Sequence, residues 1–151
     1  MQRVWSDILV AADDRQVTLL KLLDLSAAFN CVDHSMLPKR LQFAFGLTDL
    51  VHDWVQQIAY SSQLSSVQSV LFGVPQGSVL GPLLYVLYTA ELALVVDRHG
   101  LSLHQYADDT QVYTSTPAGN AKAAVRRFTA CLVDIEAWLK ASRLRPNPTK
   151  T

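Results

Sequence analysis

The chain has 151 residues, of which 50% are hydrophobic and 17% charged, and its formal net charge at pH 7 is zero. This length and composition predict one folded domain with a packed core, and they exclude a disordered chain. The charge is uneven, because residues 122–151 carry seven lysines and arginines against two acids. That basic end fits either contact with a polyanion or a solvated helix face.

The cysteines and the apolar runs indicate the cellular compartment in which the protein is expected. Cys31 and Cys131 are far apart and lack the spacing of a metal site or a disulfide framework, so we interpret them as reduced core thiols of an intracellular protein. The longest apolar run, Leu83 to Val96, is too short to span a bilayer and contains Glu91. The N-terminus lacks a signal-peptide pattern. We expect a soluble chain with no membrane partner.

Hydrophobic periodicity and turn residues predict short strands interspersed with helices. In chain order the predicted elements are a helix over residues 1–14, a strand from Val17 to Leu23, a helix from Ser35 to about Phe45, a helix from Thr48 through Ile58, a strand from Val67 to Phe72, a helix from Leu83 to Asp97, a β-hairpin within Leu101 to Ser115 and a helix from Asn120 or Thr116 to about Ser142. The pattern contains no internal repeat and no boundary of a second domain.

Apolar residues at helical spacing define the faces that these helices should bury. The predicted stripes are Val4, Ile8 and Leu9; Leu37, Leu41 and Phe45; Val51, Trp54, Val55 and Ile58; and Val125, Phe128, Leu132, Ile135 and Leu139. The helix from Leu83 to Asp97 is apolar nearly all round, which predicts burial on every side. Ser35 is predicted to cap the helix that Gly46 ends.

The strand from Val17 to Leu23 is a nearly continuous apolar run, which is typical of a strand buried on both faces. It is followed by Asp24. An isolated buried carboxylate is costly unless it reaches solvent or finds a partner. Asp24 is therefore a stronger candidate site residue than most acids in the chain.

Residues Gly73 to Pro82 have the sequence GVPQGSVLGP and hold three of the six glycines. A loop of this kind between a strand and a helix exposes backbone amides and lets a ligand approach closely. An ordinary glycine- and proline-rich turn is the structural alternative.

Two adjacent acids, Asp108 and Asp109, lie between two runs that favour strands. Leu101 and Leu103 alternate with polar residues before the acids, and β-branched and aromatic residues follow them. Aspartate tolerates the backbone angles of a tight turn, so Ala107, Asp108 and Asp109 are predicted to form the tip of the hairpin. Taken alone, such a pair is more typical of a solvated turn than of a functional site.

Three stretches occur together, LLDLSAAFNCVDH at residues 22–34, GVPQGSVLGPLLY at 73–85 and YADDTQVY at 106–113. In order and separation they closely resemble the reverse transcriptase domain of LINE-type, non-LTR retrotransposons, and residues 138–151 resemble the motif that follows. The resemblance implies an α+β fold, a reverse transcriptase-like palm whose small antiparallel sheet carries the acids and is backed by helices. It also implies that residues 1–151 form a partial domain, a palm core with a remnant of the fingers at its N-terminus, in which fingers and thumb are largely missing.

The implied activity is that of an RNA-directed DNA polymerase, which adds deoxynucleoside triphosphates to a DNA primer on an RNA template. By resemblance, Asp24 and Asp108 would bridge two Mg²⁺ ions, with Mn²⁺ as an alternative, and Asp109 would be the third acid. Carboxylates suit these hard cations. Two such ions about 3.5–4 Å apart can activate the nucleophile and neutralise the leaving group. An active element protein of this family would work in the nucleus.

The resemblance also implies nucleotide and template contacts. Phe29 matches the bulky residue under the incoming sugar that excludes a ribose 2′-hydroxyl. Gln76 and Gly77 match the loop that contacts the nucleotide and the template, and Tyr106 matches the residue beside the primer terminus. Lys150 matches the lysine that approaches the triphosphate. An ordinary core phenylalanine and a solvated lysine are the structural alternatives for Phe29 and Lys150.

The sequence also departs from the family pattern. Asn30 stands where aspartate is usual, and Pro146 stands where leucine is frequent and would interrupt strand pairing. Residues 54–66 are shorter than their counterpart, and the fingers and thumb segments of a longer element protein are expected to be missing. Two hypotheses follow: a polymerase domain with intact acids, or a noncatalytic remnant or retained palm that only binds nucleic acid or protein.

Overall fold

The structure of the chain is a computed structural model. It describes residues 2–25, 28–47, 55–56, 59–60, 63–64, 66, 68–69, 71–74, 80–106 and 109–147.

Five helices and seven strands are found among these residues. The helices are α1 (Gln2–Asp13), α2 (Leu37–Phe45), α3 (Leu80–Thr89), α4 (Glu91–Asp97) and α5 (Ala121–Ala141), and the strands are β1 (Gln16–Leu23), β2 (Val55–Gln56), β3 (Ala59–Tyr60), β4 (Gln63–Leu64), β5 (Gln68–Ser69), β6 (Ser102–Tyr106) and β7 (Asp109–Pro117). Short 3₁₀ turns at Ala28–Cys31 and Ala118–Asn120 precede α2 and α5. The chain divides into two compact units, residues 1–26 with 90–151, and residues 27–89.

The first unit is built on a three-stranded antiparallel sheet in the order β1-β7-β6. β1 pairs with β7 from Gln16↔Pro117 to Leu23↔Thr110, and β6 pairs with β7 from Ser102↔Tyr113 to Tyr106↔Asp109. The predicted hairpin and the α+β class are confirmed. The central strand is the most buried, with Thr110, Val112, Tyr113, Thr114 and Thr116 all inaccessible to solvent or nearly so.

β1 is less buried than its apolar sequence predicts. It forms an edge of the described sheet, and Val17, Leu20 and Leu22 are exposed, Leu22 by 55%. The prediction of a strand buried on both faces is therefore wrong. A continuous apolar run favours a strand, but the neighbouring elements decide how many of its faces are covered.

α1 is confirmed, but its buried face differs from the predicted one. Val4 and Ala11 are buried, whereas Leu9 is 62% exposed. Asp7 accepts a hydrogen bond from the Tyr113 hydroxyl at 2.6 Å. This contact ties α1 to the central strand and turns the Asp7 side of the helix toward the sheet.

α5 has the predicted extent and packs against β7 and β1. Its buried residues are Ala124, Phe128, Cys131, Ile135 and Leu139. The predicted stripe had Val125 and Leu132 in place of Ala124 and Cys131, but Val125 is exposed and Leu132 is half-buried. The small side chains at positions 124 and 131 allow close approach of the helix, which hydrophobicity alone does not reveal.

The two cysteines are free thiols. Cys131 is buried, as predicted, and Cys31 is half-buried. Burial, followed by the Asp134 carboxylate, raises the pKa of the Cys131 thiol. A thiol of this kind is protonated at neutral pH and unreactive.

In the second unit, α2 ends as predicted and begins differently. Gly46 adopts the left-handed conformation, with φ at 66°, and its N–H bonds to the Gln42 carbonyl. The predicted cap at Ser35 is wrong, because Met36 occupies the cap position without a side-chain bond. The Ser35 amide and hydroxyl instead donate to Asp33 Oδ1 at 2.7 and 2.6 Å.

A buried arginine joins α2 to α3. The Arg40 guanidinium donates to the Tyr88 carbonyl at 2.7 Å and lies 4.4 Å from the centre of the Tyr88 ring. Cations bind both the carbonyls at a helix C-terminus and the faces of aromatic rings. Leu37 and Leu41 are buried beside it, as predicted, whereas Phe45 is exposed.

The single helix predicted from Leu83 to Asp97 is two helices, α3 and α4, separated at Ala90. Leu83, Val86 and Leu94 are exposed, so the prediction of burial on every side is also wrong. The Thr89 hydroxyl donates to the Tyr85 carbonyl at 3.0 Å, a bond that often bends helices. Within the described ranges, no helix has the length and apolar character needed to cross a bilayer.

The region between α2 and α3 was predicted as a helix followed by a strand. Thr48, Val51, Trp54 and Ile58 lie outside the described residues, but Val55–Gln56 is strand β2, so the predicted helix is wrong there. Strand β3, at Ala59–Tyr60, follows the range that was predicted as helix. β2 pairs with β5, and β3 with β4. Of the predicted strand from Val67 to Phe72, β5 is confirmed, and Phe72 forms an isolated bridge with Asp33.

The contact between Tyr113 and Asp7 gives a testable pH dependence. Burial, with the Asp7 carboxylate as the next cause, raises the pKa of Tyr113 above its usual value of 10.0. The folded state therefore holds this proton more tightly than the unfolded state, and the resulting stability is complete below about pH 10 and lost as the pH rises through the folded-state pKa.

Tyr113→Phe is expected to lower the free energy of unfolding by about 1 kcal/mol at neutral pH. Urea unfolding from about pH 8 to about pH 11 should show the wild type losing stability more steeply than Tyr113→Phe. Asp7→Asn should fall between them, because it keeps a hydrogen-bond acceptor without the charge. Equal slopes for all three proteins would contradict this account.

Candidate active site at one end of the sheet

Two of the predicted acids come to the same end of the three-stranded sheet. β1 ends at Leu23, which pairs with Thr110, the second residue of β7. Asp24 follows Leu23 directly and Asp109 is the first residue of β7, so extending the antiparallel register by one position would place Asp24 opposite Asp109. Asp24 is half-buried and Asp109 is exposed. Two acidic residues that are 85 positions apart in the chain therefore lie at the same end of the sheet because their strands pair.

The third predicted acid, Asp108, lies outside the described residues together with Ala107. The pair Tyr106↔Asp109 closes the hairpin ladder, so Asp109 belongs to β7, and the prediction that placed it at the tip is wrong. In the described ranges, no group of three or more histidine, cysteine, aspartate or glutamate side chains is arranged to hold a metal ion. The roles given to the three acids remain predictions.

Tyr106 lies at the same end of the sheet. It is the last residue of β6, it pairs with Asp109, and its side chain is 76% exposed. An aromatic ring this open to solvent, on a residue paired with an acid, offers a stacking surface to a ligand. Its predicted place beside a primer terminus stays a prediction.

Asn147, a residue that sequence reasoning missed, contacts Asp24. The Asn147 side-chain amide donates to Asp24 Oδ2 at 2.7 Å, and the Asn147 backbone N–H donates to the Asp24 carbonyl at 2.8 Å. In the sequence, Asn147 lies between Pro146 and Pro148. A residue before proline favours an extended backbone, so the pattern was compatible with strand pairing.

At this edge Pro146 takes part in a single isolated bridge, so the expectation that it interrupts strand pairing stays a prediction. Leu25 and Pro146 form an antiparallel bridge, and the backbone hydrogen bond beside it is donated by Asn147. Pro146 therefore occupies a position of the bridge where no N–H is needed. Leu144 is buried, and its amide bonds to the Leu139 carbonyl at 2.9 Å, which anchors the segment to the end of α5.

Phe29 lies in the second unit, within the 3₁₀ turn Ala28–Cys31, and is half-buried. Its ring packs against Tyr85, with the centroids 5.0 Å apart and the planes inclined by 48°. The next residue, Asn30, is exposed. The contact with Tyr85 orients the Phe29 ring but does not distinguish a sugar-binding role from a packing role.

The start of the glycine-rich loop is held against this turn. Val74 donates to the Phe29 carbonyl at 2.8 Å, and Gly73 donates to the Val32 carbonyl at 2.7 Å. Gly73 has φ at +92°, and a Cβ there would lie 3.4 to 3.5 Å from backbone atoms of Phe29 and Asn30. These distances are ordinary van der Waals contacts, so it is the positive φ, which residues with a side chain rarely adopt, that explains the glycine. Gln76 and Gly77, the predicted contact residues, lie outside the described residues.

Asp33 is a buried carboxylate that the sequence analysis did not single out. Besides the two bonds from Ser35, its backbone carbonyl accepts the Leu37 amide at 2.9 Å. The local signal was an aspartate two residues before a serine at a helix start, which is typical of a side-chain turn. We interpret Asp33 as the residue that orders the entry into α2.

Cations gather toward the end of the chain. Lys122, Arg126 and Arg127 are exposed on α5, as predicted. Beyond the helix, a cavity of about 560 Å³ is lined by Glu136, Lys140, Arg143, Leu144, Arg145 and Pro146. Its wall carries three cations against one acid, so it is positive. Lys150 lies outside the described residues.

Comparison with known proteins agrees with the family that the sequence motifs indicate. Residues 2–151 match the family model of the reverse transcriptase (RNA-dependent DNA polymerase). The chain is 32% identical over 162 residues to a probable RNA-directed DNA polymerase from transposon BS of Drosophila melanogaster, a match that covers 100% of this chain and 18% of the relative.

Two further relatives come from the same organism. The RNA-directed DNA polymerase from mobile element jockey is 28% identical over 161 residues, which cover 99% of this chain and 17% of the relative. A probable RNA-directed DNA polymerase from transposon X-element is 34% identical over 137 residues, which cover 85% of this chain and 15% of the relative.

The chain belongs to the reverse transcriptase family. Within it, the relatives confirm the predicted likeness to the reverse transcriptase domain of LINE-type elements. The family is one of enzymes, and the relatives are named as RNA-directed DNA polymerases. The chain spans less than a fifth of the length of these relatives.

The neighbouring positions of Asp24 and Asp109 can be tested without any ligand. In metal-free, low-salt buffer the two carboxylates should repel each other, so Asp109→Asn is expected to raise the melting temperature by about 1–3 °C. The gain should shrink in 1 M salt because the charges are screened. Differential scanning fluorimetry in EDTA, at low and at high salt, measures this change in melting temperature.

A double-mutant cycle supplies the control. In an Asp24→Asn background, the Asp109→Asn substitution should no longer raise the melting temperature, because the opposing charge is gone. An undiminished gain in that background would show that the two carboxylates are not neighbours.

Proposed function

We propose that this chain carries the catalytic acids of an RNA-directed DNA polymerase, which adds deoxynucleoside triphosphates to the 3′ end of a DNA primer on an RNA template. The observation that supports it best is the β1–β7 pairing, which brings Asp24 and Asp109 to the same end of the sheet in a chain of the reverse transcriptase family. The names of the relatives indicate the reaction.

The donor set fits divalent cations. Carboxylate oxygens are the ligands that Mg²⁺ and Mn²⁺ prefer, and an exposed acid beside a half-buried one leaves room for the water that Mg²⁺ retains. Asp24, Asp108 and Asp109 would hold two Mg²⁺ or Mn²⁺ ions. When bound, the ions would supply activation of the primer hydroxyl and neutralisation of the departing pyrophosphate.

The other residues would bind and orient the substrates. Tyr106, exposed at the end of β6, would contact the primer terminus. The Phe29 ring, packed against Tyr85, would leave too little space for a ribose 2′-hydroxyl and so select deoxyribose. Gln76 and Gly77 would contact the incoming nucleotide and the template, and Lys150 would approach the triphosphate and donate a proton to the leaving group.

Nucleic-acid affinity would come from the solvent-facing cations. Lys122, Arg126 and Arg127 on α5, with Arg143 beyond it, are all exposed and can replace counterions on a phosphate backbone. In this proposal residues 1–151 are a partial domain, a palm core with a remnant of the fingers. The remaining fingers and thumb of a longer element protein would grip the triphosphate and the duplex.

A noncatalytic role is the second candidate. The exposed Asn30 stands where the family pattern has an acid, and a neutral side chain there removes a charge near the proposed nucleotide site. A palm of this kind could serve only to bind nucleic acid or protein. Metal binding and primer extension separate the two candidates.

Millimolar Mg²⁺ or Mn²⁺ is expected to raise the melting temperature of the chain, because an ion that binds the folded state stabilises it by mass action. Asp24→Asn and Asp108→Asn should lose most of this gain. Asp97→Asn, an exposed acid at the end of α4, is the matched control and should keep it. If all four proteins responded equally to the ion, the metal site would lie elsewhere.

The isolated 151-residue chain is expected to extend a primer on an RNA template at or near background. Catalysis requires the primer end and the triphosphate to be held in line, and small misplacements cost orders of magnitude in rate. Fusing an intact fingers and thumb around residues 15–151 should restore synthesis, and Asn30→Asp should raise it further. Gel-based primer extension measures both effects.

The control for this experiment is Asp108→Asn, which should remove the restored synthesis. Binding of nucleic acid by the isolated chain should be weak and fall steeply with salt. Robust extension by the isolated chain, abolished by Asp108→Asn, would contradict the expectation that additional segments are needed.

A further inference from the structure

We propose that Asn147 is a positioning residue for Asp24: its side-chain amide holds one carboxylate oxygen and thereby fixes the orientation in which the carboxylate binds a divalent cation. The observation is the 2.7 Å hydrogen bond from Asn147 Nδ2 to Asp24 Oδ2. The inference rests on the proposed function of Asp24 as a metal ligand.

The backbone around Asn147 makes this contact specific. The Asn147 backbone N–H donates to the Asp24 carbonyl at 2.8 Å, so Asn147 forms hydrogen bonds with both the main chain and the side chain of Asp24. The Leu25–Pro146 bridge lies beside it, and Leu144 is buried two residues before that bridge. The backbone that carries the Asn147 side chain is therefore fixed in place. The hydrogen bond from the Asn147 side-chain amide restricts the rotation of the Asp24 carboxylate.

The chemistry of an amide suits this task. A neutral N–H donor restrains a carboxylate without neutralising it, so the negative charge stays available to a cation. A lysine at position 147 would instead form an ion pair that competes with the cation. Hydrogen bonds that orient a ligating carboxylate are outer-shell contacts, and their loss typically weakens metal binding by about 10- to 100-fold.

A purely structural role is the alternative, in which Asn147 only fastens the end of the chain to the sheet. The backbone hydrogen bond and the Leu25–Pro146 bridge already make that connection. Asn147→Ala keeps both and removes only the side-chain bond. The two roles therefore predict different behaviour toward metal.

The experiment measures the affinity of the full 151-residue chain for Mn²⁺ from the electron paramagnetic resonance signal of the free ion. Asn147→Ala is expected to weaken binding by about 10- to 100-fold. Asn120→Ala is the matched control, because Asn120 is exposed and its side chain makes no capping bond. The Mn²⁺ affinity of this variant should equal that of the wild type. Circular dichroism and melting in EDTA report folding, and Asn147→Ser replaces Asn147→Ala if the alanine variant does not fold.

An Asp24→Asn background shows whether the effect passes through Asp24. Asp24→Asn alone should abolish most Mn²⁺ binding, and adding Asn147→Ala should weaken it no further. If Asp24→Asn binds as the wild type does, the proposed function of Asp24 fails. If Asp24→Asn loses binding but the folded Asn147 variant binds as the wild type does, the proposed function stands and the positioning role is overturned.

Discussion

The pairing of β1 with β7 is the constraint on which the rest of the first unit depends. Eight residue pairs set the register, and because side chains alternate between the faces of a sheet, a slip of one residue would move each of them to the other face. The Thr18–Ser115 hydrogen bond, at 2.9 Å, joins two paired residues of these strands, and the Tyr113–Asp7 bond ties α1 to β7. The pairing brings Asp24 and Asp109 to one end of the sheet, since two carboxylates would not approach each other by attraction.

The features that could be predicted from the sequence are those with a local physical cause. The hairpin followed from alternation and turn residues around the two acids, α5 from apolar residues at helical spacing, and the end of α2 from a glycine that accepts a left-handed backbone. Family membership followed from three motifs in order, which together are far more specific than any one of them. Asp24 drew attention because an acid follows an apolar strand.

The remaining features depend on contacts that leave no local pattern. Leu9, Leu22 and Leu94 are apolar yet exposed, because neighbouring elements decide which faces are covered. The same reason explains why the stripe of α5 centres on two small residues. The bond from Asn147 to Asp24 joins positions 123 residues apart, and neither residue type predicts the other. The Leu25–Pro146 bridge is another such contact, because a proline can pair only at a position where no N–H donor is needed.

The exposed side of β1 has a consequence for the solubility of this chain. As an edge strand of the described sheet, β1 offers backbone donors and acceptors to an incoming strand, and its apolar side chains would cover one another in such a pairing. Lys21, the charged residue of the strand, acts against such pairing, because a charge on an edge strand disfavours the addition of another strand.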